Sequence, residues 1–149
     1  MDSRDSIKND TVYAKNKNYL DHFGHEIMVV TIEKPQILVL DDEKFIAKLL
    51  RIITEKEGFI TEYFTEPQRA LERFERIQHD IILLDLHLPG TNGLELIKRF
   101  KSMGDAKIII VSGVNDHGIE RKCMEEGASD FLNKPFRSNE LIGMIKKHL

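Results

Sequence analysis

Cysteine is nearly absent from these 149 residues: Cys123 stands alone, so no internal disulfide can form and a reducing compartment is expected. Cys123 has no histidine close by in sequence and falls on the apolar side of a helical segment, which makes it a small core residue. Long apolar runs are missing as well. Nothing approaches the ~20 residues that would span a bilayer, and no signal-peptide pattern opens the chain, so the cytoplasm is the expected location. A basic excess is the third absence. The 22 Lys and Arg residues against 25 Asp and Glu leave a net charge of −3, which gives nucleic acid or an anionic membrane no bulk attraction. Internal repeats and low-complexity tracts are lacking too. What remains is ordinary: 41% hydrophobic and 32% charged residues, in a chain long enough for one domain that buries roughly two-thirds of its unfolded surface.

Residues 1–34 differ from the rest. Met1 to Asn18 is polar, rich in Asp, Asn, Lys and Ser, and reads as a mobile, partly disordered arm. Tyr19 to Ile32 bunches Ile27, Met28, Val29, Val30 and Ile32; it is either a short strand or a docking helix, and periodicity does not choose. Pro35 marks the join to a single domain over residues 35–149.

From Gln36 the pattern alternates. Apolar runs at 37–40, 59–64, 81–84, 108–111 and 131–132 predict five strands, with the middle one and its neighbours buried on both faces. Helical segments lie between them. Ile46, Leu49, Leu50 and Ile53 share one face, with Gly58 at the C-terminal cap. Pro67 opens a second helix whose stripe is Ala70, Leu71, Phe74 and Ile77. Leu94, Ile97 and Phe100 mark a third after the turn at 89–93, and a thin stripe of Ile119 and Cys123 marks a marginal fourth over 115–126. Ser138 is the expected N-cap of the fifth, with Leu141, Ile145 and Leu149 on its buried side. Such alternation predicts an α/β fold: a doubly wound, flavodoxin-like parallel sheet of five strands in the order 2-1-3-4-5, with helices on both faces.

The chemistry falls where apolar runs end. Asp41 and Asp42 follow the first run, Asp85 the central one, Ser112 the fourth, and Lys134 closes the fifth. Parallel strands bring those ends to one sheet edge, where open α/β folds place their sites. Three acids crowded there repel one another and need a cation; oxygen ligands on strand ends suit Mg²⁺, with Mn²⁺ as a substitute. An isolated acid pair before a helix would be read as a cap, but the third acid in register argues for a site. A loop rather than a helix follows Asp85, leaving its carboxylate accessible to a bulky electrophile. Lys134, beside Pro135 and Phe136, is costly to bury unless an anion receives it. Together these groups suit phosphoryl transfer, with Asp85 as nucleophile and Ser112 and Lys134 holding phosphoryl oxygens.

Leu40-Asp41-Asp42, Leu83-Leu84-Asp85 with Leu88-Pro89-Gly90, Val111-Ser112-Gly113 and the stretch from Gly127 to Phe136 resemble the receiver domains of two-component response regulators over residues 36–149. The resemblance implies that Asp85 accepts a phosphoryl group from the phosphohistidine of a sensor histidine kinase or a histidine phosphotransfer protein. It implies metal ligation by Asp42, Asp85 and the backbone carbonyl of His87, with Asp41 acting mainly through water, and a cis peptide before Pro135. Ser112 and Phe131 take the switch roles, repacking the face made by the fourth helix, fifth strand and fifth helix, where a downstream protein partner is expected. Phe131 lacks the hydroxyl of the tyrosine found in many relatives. The His87 side chain is expected either to overhang the phosphoryl pocket or to be a solvated loop residue.

The function so implied is a phosphoacceptor switch that assists its own phosphorylation and dephosphorylation, not an enzyme with a separate substrate. No output domain is expected within these residues, because Leu149 ends the last helix. A homodimer is left open, but not the one seen in winged-helix regulators: Asp130 and Glu140 fit its charge pattern and Met144 does not. Haloacid-dehalogenase chemistry would need Asp-x-Asp, which neither Asp41-Asp42-Glu43 nor Asp85-Leu86-His87 supplies. A flavin carrier would need a phosphate loop where Asp41 and Asp42 would repel it. A scaffold that binds partners without phosphorylation is the remaining alternative. His22 and His25 lack a third ligand and are not read as a metal pair.

Overall fold

A computed structural model describes residues 13–149; Met1 to Val12, the greater part of the polar arm, lie outside the described residues. Strand β1 (Tyr13–Leu20) pairs antiparallel with β2 (Glu26–Glu33) in a two-stranded sheet. The turn between them is built on Asp21, whose carboxylate accepts the N–H groups of Phe23 and His25, both at 2.8 Å. One reading is decided and one changes here: of the strand or docking helix expected for Tyr19–Ile32 the strand holds, over Glu26–Glu33, and Tyr13–Asn18 is strand rather than arm. Polar side chains did not reveal β1, because an antiparallel ladder is made by backbone groups and asks little of the side chains on an exposed strand.

Five parallel strands make the second sheet: β3 (Gln36–Leu40), β4 (Ile60–Phe64), β5 (Ile81–Leu84), β6 (Lys107–Ser112) and β7 (Asp130–Asn133). Their order is β4-β3-β5-β6-β7, which is the 2-1-3-4-5 arrangement expected for a flavodoxin-like fold. Helices α1 (Lys44–Lys56), α2 (Pro67–Arg76), α3 (Gly93–Met103) and α4 (His117–Glu125) make the four crossovers, and α5 (Ser138–Lys147) follows β7. Alternate strand residues face opposite layers. Leu38, Leu40, Ile82, Leu84, Ile108 and Ile110 pack with α2, α3 and α4. Ile37, Val39, Ile81, Leu83, Ile109 and Val111 pack with α1 and α5. Burial on both sides explains why these strands read as unbroken apolar runs.

Several helix details depart from the periodicity. The sheet-facing residues of α1 are Ala47, Leu50 and Thr54; Leu49 is 37% exposed and lines a groove beside α5. Ile77 is the residue after α2 rather than its last turn. Helix α5 starts one residue before expectation: Arg137 is the N-cap and its carbonyl accepts from Leu141, so Ser138 is already helical. Leu149 lies beyond the end of α5 and is exposed. The fourth helix is as thin as its stripe, with Cys123 its one buried residue and Asp116 capping it through Gly118 N–H. Gly58 has φ of +89° just past α1, the left-handed position that a C-terminal cap requires.

Candidate functional site

Backbone ladders run one residue past the strands and set the site. Asp41 N–H donates to Phe64 O at 3.1 Å, Asp85 N–H to Leu40 O at 2.9 Å, and Lys134 N–H to Ser112 O at 2.9 Å. Each of these residues ends its own strand and is held at the carboxyl edge by a hydrogen bond to the neighbouring strand. Carboxylate oxygens of Asp41, Asp42 and Asp85 all lie within 4.8 Å of one another. Asp41 and Asp85 are buried and Asp42 is exposed, so the cluster opens to solvent on one side. Asp41 also accepts the Glu43 N–H at 2.9 Å, which ties it to the start of α1.

Lys134 enters from the fifth strand of the sheet. Its Nζ lies 2.8 Å from Asp41 Oδ2 and 3.5 Å from Asp85 Oδ2. Burial disfavours its ammonium, but the hydrogen bond and charge of Asp41, and then Asp85, outweigh that and raise its pKa above the ordinary lysine value. Asp85 goes the other way from a stabilised acid. Burial pushes its pKa above the usual carboxylate value, and neither the His87 N–H at 3.1 Å nor Lys134 fully offsets this. One lysine, paired with Asp41 and Asp85, stands against three acids and leaves the cluster short of positive charge. Hard oxygen donors, close spacing and an under-compensated buried carboxylate fit a small divalent cation.

Ser112 is fully buried at the end of β6, and its Oγ accepts the Val114 N–H at 3.3 Å. Phe131 sits one strand over and is buried among the residues packed toward α4, including Cys123 and Ala128. The His87 side chain is exposed, in keeping with the solvated-loop alternative, while its backbone closes on Asp85. The Lys134–Pro135 peptide is cis. Asp130, considered above for intermolecular pairing, is engaged within the chain. Burial opposes its ionisation, but His148 at 2.9 Å, the Phe131 N–H and Lys147 hold its carboxyl below the ordinary value.

Two features escaped the sequence reading. A groove of about 1120 Å³ runs between α1 and α5, lined by Ile46, Leu49, Ile53, Phe136 and Ile142, with Lys134 at the site end. Its signal was the apolar surplus of α1, where Phe45 and Ile52 also stay exposed. His79 is the other. It is buried with Nε2 3.1 Å from Glu62 and Nδ1 unpartnered, and burial lowers its pKa. It lies just before β5, away from the acids, and forms part of the scaffold.

The fold and the edge cluster together define a class: a doubly wound domain carrying an acidic cation-type site with a lysine lid. A response regulator receiver domain model matches residues 37–146, and the chain belongs to that family. DNA-binding response regulator MtrA of Mycolicibacterium paratuberculosis is 31% identical over 116 residues, covering 78% of this chain and 52% of that protein. Sensory transduction protein RegX3 of Mycobacterium bovis is 35% identical over 111 residues, covering 74% of this chain and 48% of that protein. The chain thus spans about half the length of the curated relatives it matches. Among solved structures, a CheY-like response regulator receiver domain from Methanospirillum hungatei superposes with a TM-score of 0.74 at 26% identity, covering 77% of this chain and 93% of that one.

Proposed function

We propose that Asp85 is the phosphoacceptor of a signalling switch. An oxygen of its carboxylate attacks the phosphorus of a phosphohistidine on a sensor kinase or histidine phosphotransfer protein. The P–O bond forms as the P–N bond breaks, and the imidazole leaves with the electron pair and takes up a proton. No general base is needed, since the nucleophile is already ionised. Lys134 sits 3.5 Å from Asp85 and supplies a cation for the added phosphoryl oxygens, and the Ser112 hydroxyl at the neighbouring strand end supplies a donor. Asp41, Asp42 and Asp85, with the His87 carbonyl, are the residues that would hold Mg²⁺ or Mn²⁺, which neutralises phosphoryl charge when bound. The observation that carries the proposal is the sharing of one lysine by two buried aspartates brought together from three strand ends.

Phosphorylation turns Asp85 from an acceptor-only group with one negative charge into a larger dianionic one beside Ser112. Ser112 turning toward it, with Phe131 packed behind, repacks the face of α4, β7 and α5 and changes a protein contact there. Thin burial of α4 supports this, because a weakly packed helix moves at low cost. Balanced charge supports a protein rather than nucleic acid as the contact of this domain. Among the described residues no helix is long and apolar enough to cross a membrane, and with a free buried Cys123 this supports a cytoplasmic setting.

The test is intact-mass measurement after incubation with acetyl phosphate and Mg²⁺. A hydroxylamine-labile phosphoryl adduct is expected on the wild type and not on Asp85→Asn. An adduct that persists in Asp85→Asn, or a wild type unmodified by several donors, would replace the switch with a phosphorylation-independent scaffold.

A further inference from the structure

We infer that β2 is the pairing edge of a homodimer, joining a second copy antiparallel to give the four-stranded order β1-β2-β2-β1. Its sequence, Glu-Ile-Met-Val-Val-Thr-Ile-Glu, has the composition of an interior strand, apolar toward both faces. Strand β1 has the opposite character. Lys15, Asn16, Lys17 and Asn18 are the residues that blunt an exposed edge. Yet among the described residues β2 has β1 as its one strand neighbour, so alternate N–H and C=O groups of β2 point away from any ladder. Ile27, Met28 and Val30 are 43%, 66% and 55% exposed. A lone two-stranded hairpin is marginal in water, and a third strand is the usual remedy.

The chain itself points to a second copy as the occupant. Residues 1–12, Met-Asp-Ser-Arg-Asp-Ser-Ile-Lys-Asn-Asp-Thr-Val, offer too little apolar surface to complement β2. Strand β2 complements itself in one register. A twofold axis through Val30 sets Val30 against the partner's Val30 and Met28 against the partner's Ile32. It also sets Glu26 against the partner's Lys34, a charge match repeated at the other end by symmetry. Moving the axis half a residue is not open to a twofold pair, because it would oppose residues that point to different faces of the sheet. Centring on Val29 leaves Glu26 against the partner's Ile32. Charge selects the Val30 axis.

Introduced cysteines read this register directly, since the native Cys123 is buried. In the 149-residue chain, Val30→Cys places two thiols opposite each other across the axis, and mild oxidation is expected to give a covalent dimer. Met28→Cys, on the same face, sits about 14 Å from its counterpart, far beyond the ~7 Å limit for a disulfide. It is expected to stay uncrosslinked. Sedimentation of the wild type should show a dimer, and Val30→Lys a monomer that still unfolds and accepts phosphate like the wild type. Glu26→Lys is expected to weaken association about tenfold, one charge pair at each end, with Lys34→Glu added to it restoring the dimer. A wild type that sediments as a monomer, equal cross-linking of Met28→Cys and Val30→Cys, or a dimer surviving Val30→Lys would overturn the inference. The outcome is independent of Asp85, so Asp85→Asn should dimerise as the wild type does.

Discussion

Strands β2 and β3 are separated only by Lys34 and Pro35, and both are mostly aliphatic, yet they meet opposite fates. Ile37, Leu38, Val39 and Leu40 have no exposed surface; Val29, the most covered of the apolar run Ile27–Val30, keeps 37%. Composition does not separate them. What differs is neighbours: β3 lies between β4 and β5 with helices on both faces, and among the described residues β2 has a single polar partner. The hydrophobic effect rewards area removed from water, so the same side chains stabilise only where the fold brings something to cover them.

That contrast can be broken from either side. The largest effect is expected in the covered half: Leu38→Ala in β3, or Phe74→Ala beside the edge-to-face Phe100 ring at 5.4 Å, should cost about 2–5 kcal/mol in denaturant unfolding of the domain. Next comes Lys134→Met, which leaves Asp41 and Asp85 facing each other without a cation and should cost about 1–3 kcal/mol near neutral pH. The folded pKa of Lys134 is raised, so its contribution is fully present below its unfolded pKa and is lost as pH rises through the folded one. A Lys134→Met protein should therefore close the gap to the wild type only in strongly alkaline buffer, or in acid where Asp85 protonates.

Asp85→Asn should act in the stabilising direction. A carboxyl whose folded pKa is raised favours folding while protonated, and that advantage is lost as pH rises from the unfolded carboxylate pKa through the folded one. Above that window the buried charge is a penalty, and Asn removes it. Thermal melts should show Asp85→Asn ahead of the wild type at pH 7 by about 2–4 °C for each kcal/mol gained, and the two converging in acid. Smallest of all, Val30→Thr in the hairpin should shift domain unfolding by less than about 0.5 kcal/mol, because the domain core does not include it. A larger cost would show that β2 packs on the domain and that the contrast with β3 is less than it looks.

Legibility followed burial. Four apolar residues in a row at 37–40 and 81–84 mark strands covered on both faces, and the structure has them there. Side-chain pattern loses its hold where the environment is mixed. Leu49 carries the spacing of a buried stripe and faces a groove; Ser138 has the chemistry of a cap, one residue inside the helix it should cap. Strand β1 was invisible because an exposed ladder leaves no hydrophobic signature. The site was legible because each member ends an apolar run. Which acids the lysine meets was not, since that depends on a lysine arriving from 93 residues away in sequence to within 2.8 Å of Asp41.

By itself the sequence determined the strand–helix alternation and the membership of the acids and the lysine in one sheet edge, and it singled out Asp85 for the phosphoacceptor role we propose. These follow from local periodicity and from the rule that parallel strands end together. Only the tertiary structure decided that Asp85 is buried with too little positive charge, that α1 keeps an apolar face in the open beside the site, and that residues 13–33 form a hairpin whose apolar strand has one strand neighbour among the described residues. Each of these depends on what lies across from a residue rather than next to it, and burial and charge are settled by that through-space company.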